Sequence, residues 1–401
     1  MPDKSRELLS ILVCGSIILT LAMGIRHGLG LFLLPISSEF GWNREAFSFA
    51  LAIQNLLWGI SQPFTGMIAD RYGAPKALIA GALFYAAGLT LMTLSSSPPL
   101  FAMSAGVLIG LALSCTTFSV VSGVIGRNFP AHKRSQALGI SAAAGSFGQF
   151  LMVPIEQGLI EGMGWSNTLL LLAGLVCLVI PLSIGMRETP APATTRQQSV
   201  SQALREAFAC PSFWLLTTGY FVCGFQVVFI GVHLPSFLRD RGLSAGVAVT
   251  ALALIGLFNV FGTYAAGQLG ARYTKKYLLA GIYTLRSVVI AIFLLLPITP
   301  LSVYIFAAAI GFLWLSTVPL TSGIVAHIFG VRYLSMLIGS VFFSHQMGSF
   351  CGVWLGGYLY DKTGSYNVVW MIAIALGIFA ALINSPIREV PMARLAAAPA
   401  G

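Results

Sequence analysis

Long apolar segments recur along the whole chain, and shorter polar segments separate them. Each apolar segment is roughly 20 residues long or longer, which is the length that an α-helix needs to cross a bilayer core about 30 Å thick. Period-2 strand patterning is missing, and lipid offers no partner for an unpaired backbone amide, so helices are predicted. We count twelve segments, at about residues 8–34, 46–69, 77–95, 99–125, 135–160, 167–186, 212–238, 246–270, 277–297, 300–327, 335–360 and 366–386.

The composition excludes an ordinary soluble domain. The distribution of the basic residues indicates which side of the membrane each loop lies on. Only 8% of the 401 residues are charged, against about 25% in soluble domains, and the mean hydropathy is +0.87. The net charge of +10 does not indicate nucleic-acid binding, because 16 of the 22 Lys and Arg fall in the termini and alternate loops of one side. The positive-inside rule then places both termini in the cytoplasm. The sequence predicts an all-α, multi-pass protein of the bacterial inner membrane.

Residues 187–211 form the one long polar interruption. Its first part is rich in Pro, Thr and Gln and is typical of a linker. Apolar residues then recur at helical spacing from Val200 to Phe208. We expect a short amphipathic helix there, on the inner membrane surface.

The two sides of this interruption resemble each other at a shift of about 200 residues. Pro35 matches Pro235, and EGMGWSN from Glu161 matches DKTGSYN from Asp361. A near-constant offset over most of each half predicts a duplicated six-helix unit, and parallel repeats of this kind place a substrate site near the midplane. The predicted units are a first six-helix bundle, a linker with the short helix, and a second, pseudo-symmetric bundle, at 1–187, 188–211 and 212–401.

The segment GMIADRYGAPK resembles the signature loop between spans 2 and 3 of the major facilitator superfamily. The resemblance implies a transporter in which Asp70 caps a helix end and pairs with an arginine of the other half, as a gate. The second copy keeps Gly267 and Arg272 but has Ala271 in place of the acid, so a full latch is expected only in the first half. The alternative is a purely structural Asp–Arg pair that anchors helix ends without acting as a gate. The gating residues are expected to be Gly66, Asp70, Arg71, Gly73 and Arg272.

Within the superfamily, NFPAHKRSQALGISAAAGSFG from Asn128 resembles the basic segment entering span 5 of monocarboxylate porters, including bacterial oxalate–formate-like porters. The resemblance is partial. Those porters carry an Asp and an Arg one turn apart on span 8, where this chain has the neutral Asn259 and Thr263. Their handling of protons and anions on that helix therefore cannot be transferred to this chain.

Arg26 and His27 lie inside the first apolar segment, where a charge is costly and indicates function by default. The planar guanidinium of Arg26 offers paired donors to a carboxylate. The alternatives are snorkelling to the outer surface and pairing with backbone carbonyls. Pro35 is expected to end the span nine residues later, about 13 Å away, which is far for snorkelling. His27 points about 100° away and is expected to pack at a helix contact.

Two further polar clusters lie inside predicted spans. Arg286 in span 9 either points inward, where it meets substrate, or donates to backbone carbonyls. On span 11, His345 shares a face with Gly348, Ser349 and Gly352, and Gln346 lies beside it. His345 is the best proton-linked candidate because imidazole titrates near a pKa of about 6.5, although a neutral structural histidine fits equally.

Two buried cations and a single carboxylate within a span, Glu156, favour an anionic substrate. Because the predicted spans contain only this one carboxylate, proton symport through a buried Asp or Glu is poorly supported. Polar and aromatic side chains on other spans are expected to line the path, although such residues also act as interhelical glue. The expected lining residues are Gln54, Asn55, Trp58, Thr116, Thr117, Gln226, Asn259, Trp314 and Thr317.

The sequence thus predicts a secondary transporter of a small organic anion, most simply a monocarboxylate, working by rocker-switch alternating access as a monomer. Coupling to a proton or to an exchanged anion stays open. No Walker loop, dinucleotide fingerprint or nucleophile elbow appears, so no enzyme, cofactor or metal site is expected. The alternatives are import or export of a neutral or aromatic compound, a non-transporting sensor or scaffold, and a metalloid bound through Cys14, Cys115, Cys223 and Cys351.

Overall fold

The computed structural model describes residues 3–186, 199–330 and 334–392, and within them it shows helices and no strands. The first half contains α1 (Asp3–Gly28), a 3₁₀ turn (Leu29–Phe32), α2 (Leu33–Phe40), α3 (Arg44–Tyr72), α4 (Ala74–Leu94), α5 (Pro98–Phe101), a π-helical segment (Ala102–Leu108), α6 (Ile109–Thr116), α7 (Phe118–Asn128), α8 (Ala131–Val176) and α9 (Val179–Ile184). The second half contains α10 (Val200–Phe208), α11 (Pro211–Asp240), α12 (Ala245–Arg272), α13 (Lys275–Leu295), α14 (Pro300–Leu313), α15 (Thr317–Phe329), α16 (Leu334–Thr363) and α17 (Asn367–Asn384).

Nine segments of the described chain are long and apolar enough to cross a membrane, against the twelve predicted. One of them, Ala137–Ile184, is 48 residues long and contains a non-helical break at Gly164, where φ is +80°. Helices α3 and α16 are not among the nine, although they are 29 and 30 residues long. Both carry polar side chains in their middle turns, which lowers their apolar character. The all-helical membrane architecture is confirmed, and the count of twelve stays a prediction.

The first span does not end at Pro35 as predicted. A 3₁₀ turn interrupts the helix after Gly28, and α2 then continues to Phe40, capped by Gly41 at φ +65°. Pro35 is the third residue of α2, where a missing N–H group costs nothing because the first backbone donors of a helix have no intrahelical acceptor. The predicted amphipathic helix is present as α10, with Ala203 and Ala207 buried.

Close helix contacts within each half depend on glycine. On α8, a side chain at Gly148 would overlap the backbone of Thr20 in α1. On α16, a side chain at Gly348 would overlap the backbone of Phe221 in α11. The two glycines are matched by the 200-residue shift, so α1 with α8 and α11 with α16 approach each other in the same way.

The halves meet along two helix pairs, α3 with α16 and α8 with α12. The 200-residue shift relates the two pairs, since α3 corresponds to α12 and the first part of α8 to α16. We call the bundle end that contains residues 72–74 and 128–131 the linker end, and the end that contains residues 41–43 and 364–366 the distal end. Candidate site residues lie between the two ends, on α1, α3, α11, α12, α13 and α16 and at the breaks between α6 and α7 and between α14 and α15.

Candidate functional site

The Arg26 side chain is half-buried and is held by α3. Its Nη2 donates to Oδ1 of Asn55 over 2.7 Å, and its Cζ lies 5.2 Å from the centre of the Trp58 ring. Asn55 in turn donates its amide to the backbone oxygen of Leu51 at 2.7 Å, which orients its oxygen towards Arg26. The Nε of Arg26 is buried and has no hydrogen-bond partner in the described part of the chain. The guanidinium therefore keeps a free donor while a neutral amide and a ring position it.

An aromatic path leads from Arg26 to the other half of the protein. The Trp58 indole donates to Oγ1 of Thr117 at 3.1 Å, and Thr117 is the extended residue that separates α6 from α7. The Trp58 ring meets Phe342 edge-on at 5.2 Å, and Phe342 stacks on His345 at 5.2 Å. Arg26 and His345, predicted separately from different spans, are thus joined through two rings.

His345 and Gln346 lie where α3, α11 and α16 meet. The Nδ1 of His345 is 3.3 Å from Oε1 of Gln346, and its ring is 4.9 Å from that of Tyr220. Gln346 is fully buried against Gly59, because a side chain at Gly59 would overlap it. The Nε2 of Gln346 is a buried donor with no partner among the described residues.

His27 and Arg286 are both bonded to backbone carbonyls. The Nδ1 of His27 donates to the oxygen of Met23 in its own helix at 2.6 Å. The guanidinium of Arg286 donates to the carbonyls of Leu313 (3.1 and 2.7 Å) and Trp314. These two carbonyls are free because α14 ends at Leu313 and α15 begins only at Thr317. Arg286 therefore donates to backbone carbonyls, as one of the two alternatives stated for it has it, and its contact with a substrate stays a prediction.

Several predicted lining residues use their polar atoms to tie helices together. Gln54 donates to the oxygen of Ala105 in the π-helical segment, at 2.8 Å. Gln226 accepts from Arg286 and donates to Ala373 at 2.8 Å. Asn259 donates to Ser146 of α8 at 2.9 Å and accepts from the Leu315 amide and the Thr263 hydroxyl, both at 3.0 Å. These side chains are satisfied by the protein, unlike Arg26 and Gln346.

The residues predicted to gate the linker end are only partly described. Gly73 ends α3 at φ +92°, a conformation that favours glycine. Gly66 has open space around it, and Arg272 is the last residue of α12. The side chains of Asp70 and Arg71 lie outside the described part of the structure. The predicted latch at this end therefore stays a prediction.

A latch that the sequence analysis missed closes the distal end. Arg44 at the start of α3 forms two hydrogen bonds of 2.8 Å to the carboxylate of Asp240 at the end of α11. It also donates to the Tyr366 hydroxyl at 3.2 Å, and its Cζ lies 4.0 Å from the Tyr360 ring. Arg44 and Asp240 belong to different halves, 196 residues apart, so no local spacing connects them. Opposite charge in two distal loops was the only signal.

A second connection beside this latch uses the next residue. The backbone N–H of Glu45 donates to Oδ2 of Asp361 at 2.9 Å, and the Trp354 indole donates to Oε1 of Glu45 at 3.3 Å. Behind them, Gly30 of the 3₁₀ turn lies against the backbone of Gly231 and Val232 in α11. Three contacts between the halves thus close the distal end.

Replacing Arg44 by alanine is expected to loosen this closure. The bidentate pair is partly exposed, with 16% and 29% of the side chains accessible, so about 1–2 kcal/mol is at stake. Hydrogen–deuterium exchange of the Glu45 amide should then be about 5- to 30-fold faster than in the wild type. Asp240→Ala should have the same effect, the double variant no more, and Arg239→Ala, which removes an exposed distal charge, none. Equal exchange in all four variants would contradict the latch.

Comparison with known proteins points to one family. A family model described as the Major Facilitator Superfamily matches residues 12–326. The chain is 26% identical over 376 residues to the uncharacterized MFS-type transporter YcxA of Bacillus subtilis (strain 168), covering 90% of each chain. It is 25% identical to the oxalate:formate antiporter of Oxalobacter formigenes, covering 90% of this chain and 87% of the relative. It is 24% identical to monocarboxylate transporter 13 of Bos taurus, covering 88% and 83%.

The fold agrees with a solved structure. A bacterial homologue of the human lysosomal transporter Spinster, in an inward-facing and unoccupied conformation, superposes with a TM-score of 0.70. The match covers 98% of this chain and 100% of that one, at 17% sequence identity. At this identity the likeness is one of fold.

Proposed function

This chain belongs to the major facilitator superfamily, and we propose that it is a secondary active transporter that moves a small organic anion by alternating access. The simplest substrate class is the monocarboxylates. The family assignment rests on the match over residues 12–326. The names of two relatives, a monocarboxylate transporter and an oxalate:formate antiporter, favour a carboxylate substrate.

The observation that carries the proposal is a set of buried donors left free at the predicted site. Nε of Arg26, Nε2 of Gln346 and Nε1 of Trp314 are all buried without a hydrogen-bond partner among the described residues. All three are N–H groups. A buried donor without an acceptor costs about 1–3 kcal/mol, so the site gains from a ligand rich in acceptors. A carboxylate supplies acceptors and also neutralises the guanidinium.

Arg26 is the residue on which the carboxylate would bind. Of the described residues, its guanidinium contacts only neutral groups, the amide oxygen of Asn55 and the Trp58 ring. Neither contact removes the net charge, which is costly inside a membrane until an anion pairs with it. Arg286 makes up to four hydrogen bonds to protein acceptors, so we assign it to holding the break between α14 and α15 rather than to first contact with the substrate.

We propose twelve membrane spans and a cytoplasmic linker end. The break at Gly164 divides the 48-residue segment into two spans, and adding α3 and α16 to the other segments gives twelve. The excess of basic residues in the termini and linker-end loops favours the cytoplasm for that end, in a bacterial inner membrane. We propose a monomer as the transporting unit, with a coupled proton or an exchanged anion supplying the driving force.

The test is a thermal-shift screen of the purified protein against carboxylates and the corresponding amides, each at two pH values. We expect carboxylates to raise the melting temperature and the amides to leave it unchanged, because only the ion pairs with Arg26. A ligand present at 100 times its Kd stabilises the folded state by about 2.7 kcal/mol. Stabilisation by neutral aromatic compounds and by no carboxylate would instead support the alternative of a neutral substrate.

Transport by the reconstituted protein separates the coupling modes. Vesicles are loaded with or without the carboxylate that stabilises the protein, and uptake of the labelled compound is measured. Uptake that strictly requires internal anion indicates exchange. Uptake into empty vesicles that follows an imposed pH gradient indicates proton symport.

A further inference from the structure

Glu156 is a buried acid that the proposed substrate site does not use. It lies on α8 with none of its surface exposed, and neither carboxyl oxygen has a hydrogen-bond partner within the described residues. The carboxyl group fills a notch that Gly28 leaves in α1, since a side chain on Gly28 would overlap Oε2. In the sequence Glu156 is the single carboxylate within a predicted span, but only the structure shows that it lacks a partner among the described residues.

The titratable groups around Glu156 do not form an ion pair with it. On α1, Arg26 is bonded to Asn55, and His27 is bonded to the Met23 carbonyl. On α4, the Tyr85 hydroxyl donates to the oxygen of Ala22 at 3.1 Å. The other titratable or charged residues of α1, α4, α7, α8 and α12 whose side chains the structure describes are Arg6, Glu7, Cys14, Lys76, Arg127, Glu161, Tyr264 and Arg272, and no hydrogen bond or ion pair of these with Glu156 is found among the described residues.

An isolated carboxylate in such surroundings is too costly to stay charged. Moving an ion out of water into a low-dielectric interior costs several kcal/mol even after relaxation, so the group takes up a proton instead. A neutral carboxyl group can occupy the dry Gly28 notch at a much lower cost than a carboxylate. Burial without a partner in the closed conformation thus favours the protonated form of Glu156.

The notch adjoins a contact between the two halves. Gly28 is the last residue of α1, and the 3₁₀ turn Leu29–Phe32 follows it directly. A short 3₁₀ stretch within a long helix marks a functional hinge or a strained sequence. Within that turn, Gly30 packs against the backbone of Gly231 and Val232 in α11, which is part of the distal closure. Moving α1 away from α8 at Gly28 would pull on this contact.

We propose that Glu156 is a proton-binding site whose protonation is linked to closure of the distal end. In the closed form the neutral carboxyl group sits in the Gly28 notch and Gly30 rests on α11. Loss of the proton to water leaves a carboxylate that must be hydrated, so α1 separates from α8 and the distal end opens. The inference rests on the proposed function only in treating the protein as an alternating-access transporter, and it does not depend on the substrate.

The linkage predicts a definite sign and an upper limit. Because the closed form binds one proton more than the open form, lowering the pH favours closure. The ratio of closed to open molecules changes by at most about tenfold per pH unit for one proton. At pH values above or below both pKa values of Glu156, the one in the closed form and the one in the open form, the ratio stays constant.

The experiment measures this ratio without substrate. Spin labels are placed on cysteines introduced at the exposed distal positions Ser96 and Asn367, one in each half. The background lacks the four half-buried cysteines, Cys14, Cys177, Cys210 and Cys351. Distances are recorded in lipid nanodiscs from acid to alkaline pH. We expect the short distance to dominate at low pH and the long distance to gain with rising pH.

The matched variants are on the same helix. Glu156→Gln mimics the protonated acid and should give the short distance at every pH, whereas Glu161→Gln, at an exposed position, should titrate like the wild type. Wild-type pH dependence in Glu156→Gln would overturn the proposal. Because no ligand is added, a wrong substrate class would leave this result unchanged, and loss of carboxylate binding would not affect it.

Two further measurements keep the test valid if Glu156→Gln folds poorly. The infrared carbonyl band of a protonated carboxyl group should be present in the wild type at neutral pH and should disappear as the distal end opens at higher pH. Gly28→Ala should shift the wild type towards the long distance because it fills the notch, but should have no such effect when combined with Glu156→Ala. Absence of the band, or an equal effect of Gly28→Ala in both backgrounds, would overturn the proposal.

Discussion

Replacing Arg26 by alanine is expected to abolish carboxylate transport while the protein remains folded. The variant removes the cation and the free Nε donor, and leaves Asn55 bonded to its own helix through Leu51. Losing one partner of a desolvated, hydrogen-bonded charge pair costs about 2–5 kcal/mol, which corresponds to a loss of affinity of about 30-fold or more. Uptake into proteoliposomes and the ligand-induced shift in melting temperature measure the two effects.

The control variants separate charge from geometry. Arg26→Lys keeps the charge but lacks the planar fork, so it should transport with an affinity between those of the wild type and Arg26→Ala. The melting temperature without ligand should change little, because Arg26 is half-buried and bonds only one side chain. Full carboxylate transport by Arg26→Ala would show that the substrate binds elsewhere, while loss of folding in that variant would show that Arg26 is structural.

The sequence was sufficient to locate Arg26 but not its partner. A cation inside an apolar segment is conspicuous in any membrane sequence, and helical periodicity gives its position along the helix. Periodicity does not give the rotation of α1 relative to α3, so the contact with Asn55, 29 residues away, could not be predicted. Neither snorkelling nor pairing with backbone carbonyls, the two alternatives to substrate contact, involves a polar side chain of another helix such as Asn55.

For Arg286 and Glu156, too, the sequence does not show the contacts: Arg286 has several acceptors in the protein, and Glu156 has no partner among the described residues. The carbonyls that accept from Arg286 are free only because α14 and α15 are separated. Gly311 and Pro319 flank this break, but the sequence does not show that an arginine of α13 reaches it. The sequence does not show which groups surround Glu156, so it gave no sign that this carboxyl group has no partner. Its significance comes from Gly28, 128 positions earlier, whose missing side chain creates the notch. The all-helical fold and the family, in contrast, follow from segment length and one loop motif.

Replacing Gly348 by alanine is expected to unfold or severely destabilise the protein. Gly348 of α16 faces the backbone of α11, where a Cβ would overlap the carbonyl oxygen of Phe221. One turn earlier, a side chain at Gly224 of α11 would overlap the oxygen of His345, so the helices touch backbone to backbone at two levels. Backbone cannot move aside as a flexible side chain does, and overpacking costs about 1–3 kcal/mol or more. Thermal unfolding in detergent and the yield of monodisperse protein measure the loss.

The comparison with Gly158→Ala makes this result specific to the contact. Gly158 is an exposed glycine of α8 with open space around it, so alanine there should be neutral or stabilising by about 0.5–1 kcal/mol, as in an ordinary helix interior. A Gly348→Ala protein that melts like Gly158→Ala would contradict the close approach of α11 and α16. If Gly348→Ala folds with a lower melting temperature, the separation of α11 and α16 should also move His345 away from Tyr220. Transport by the folded variant should then be lower than that of the wild type, because His345 lies at the proposed site.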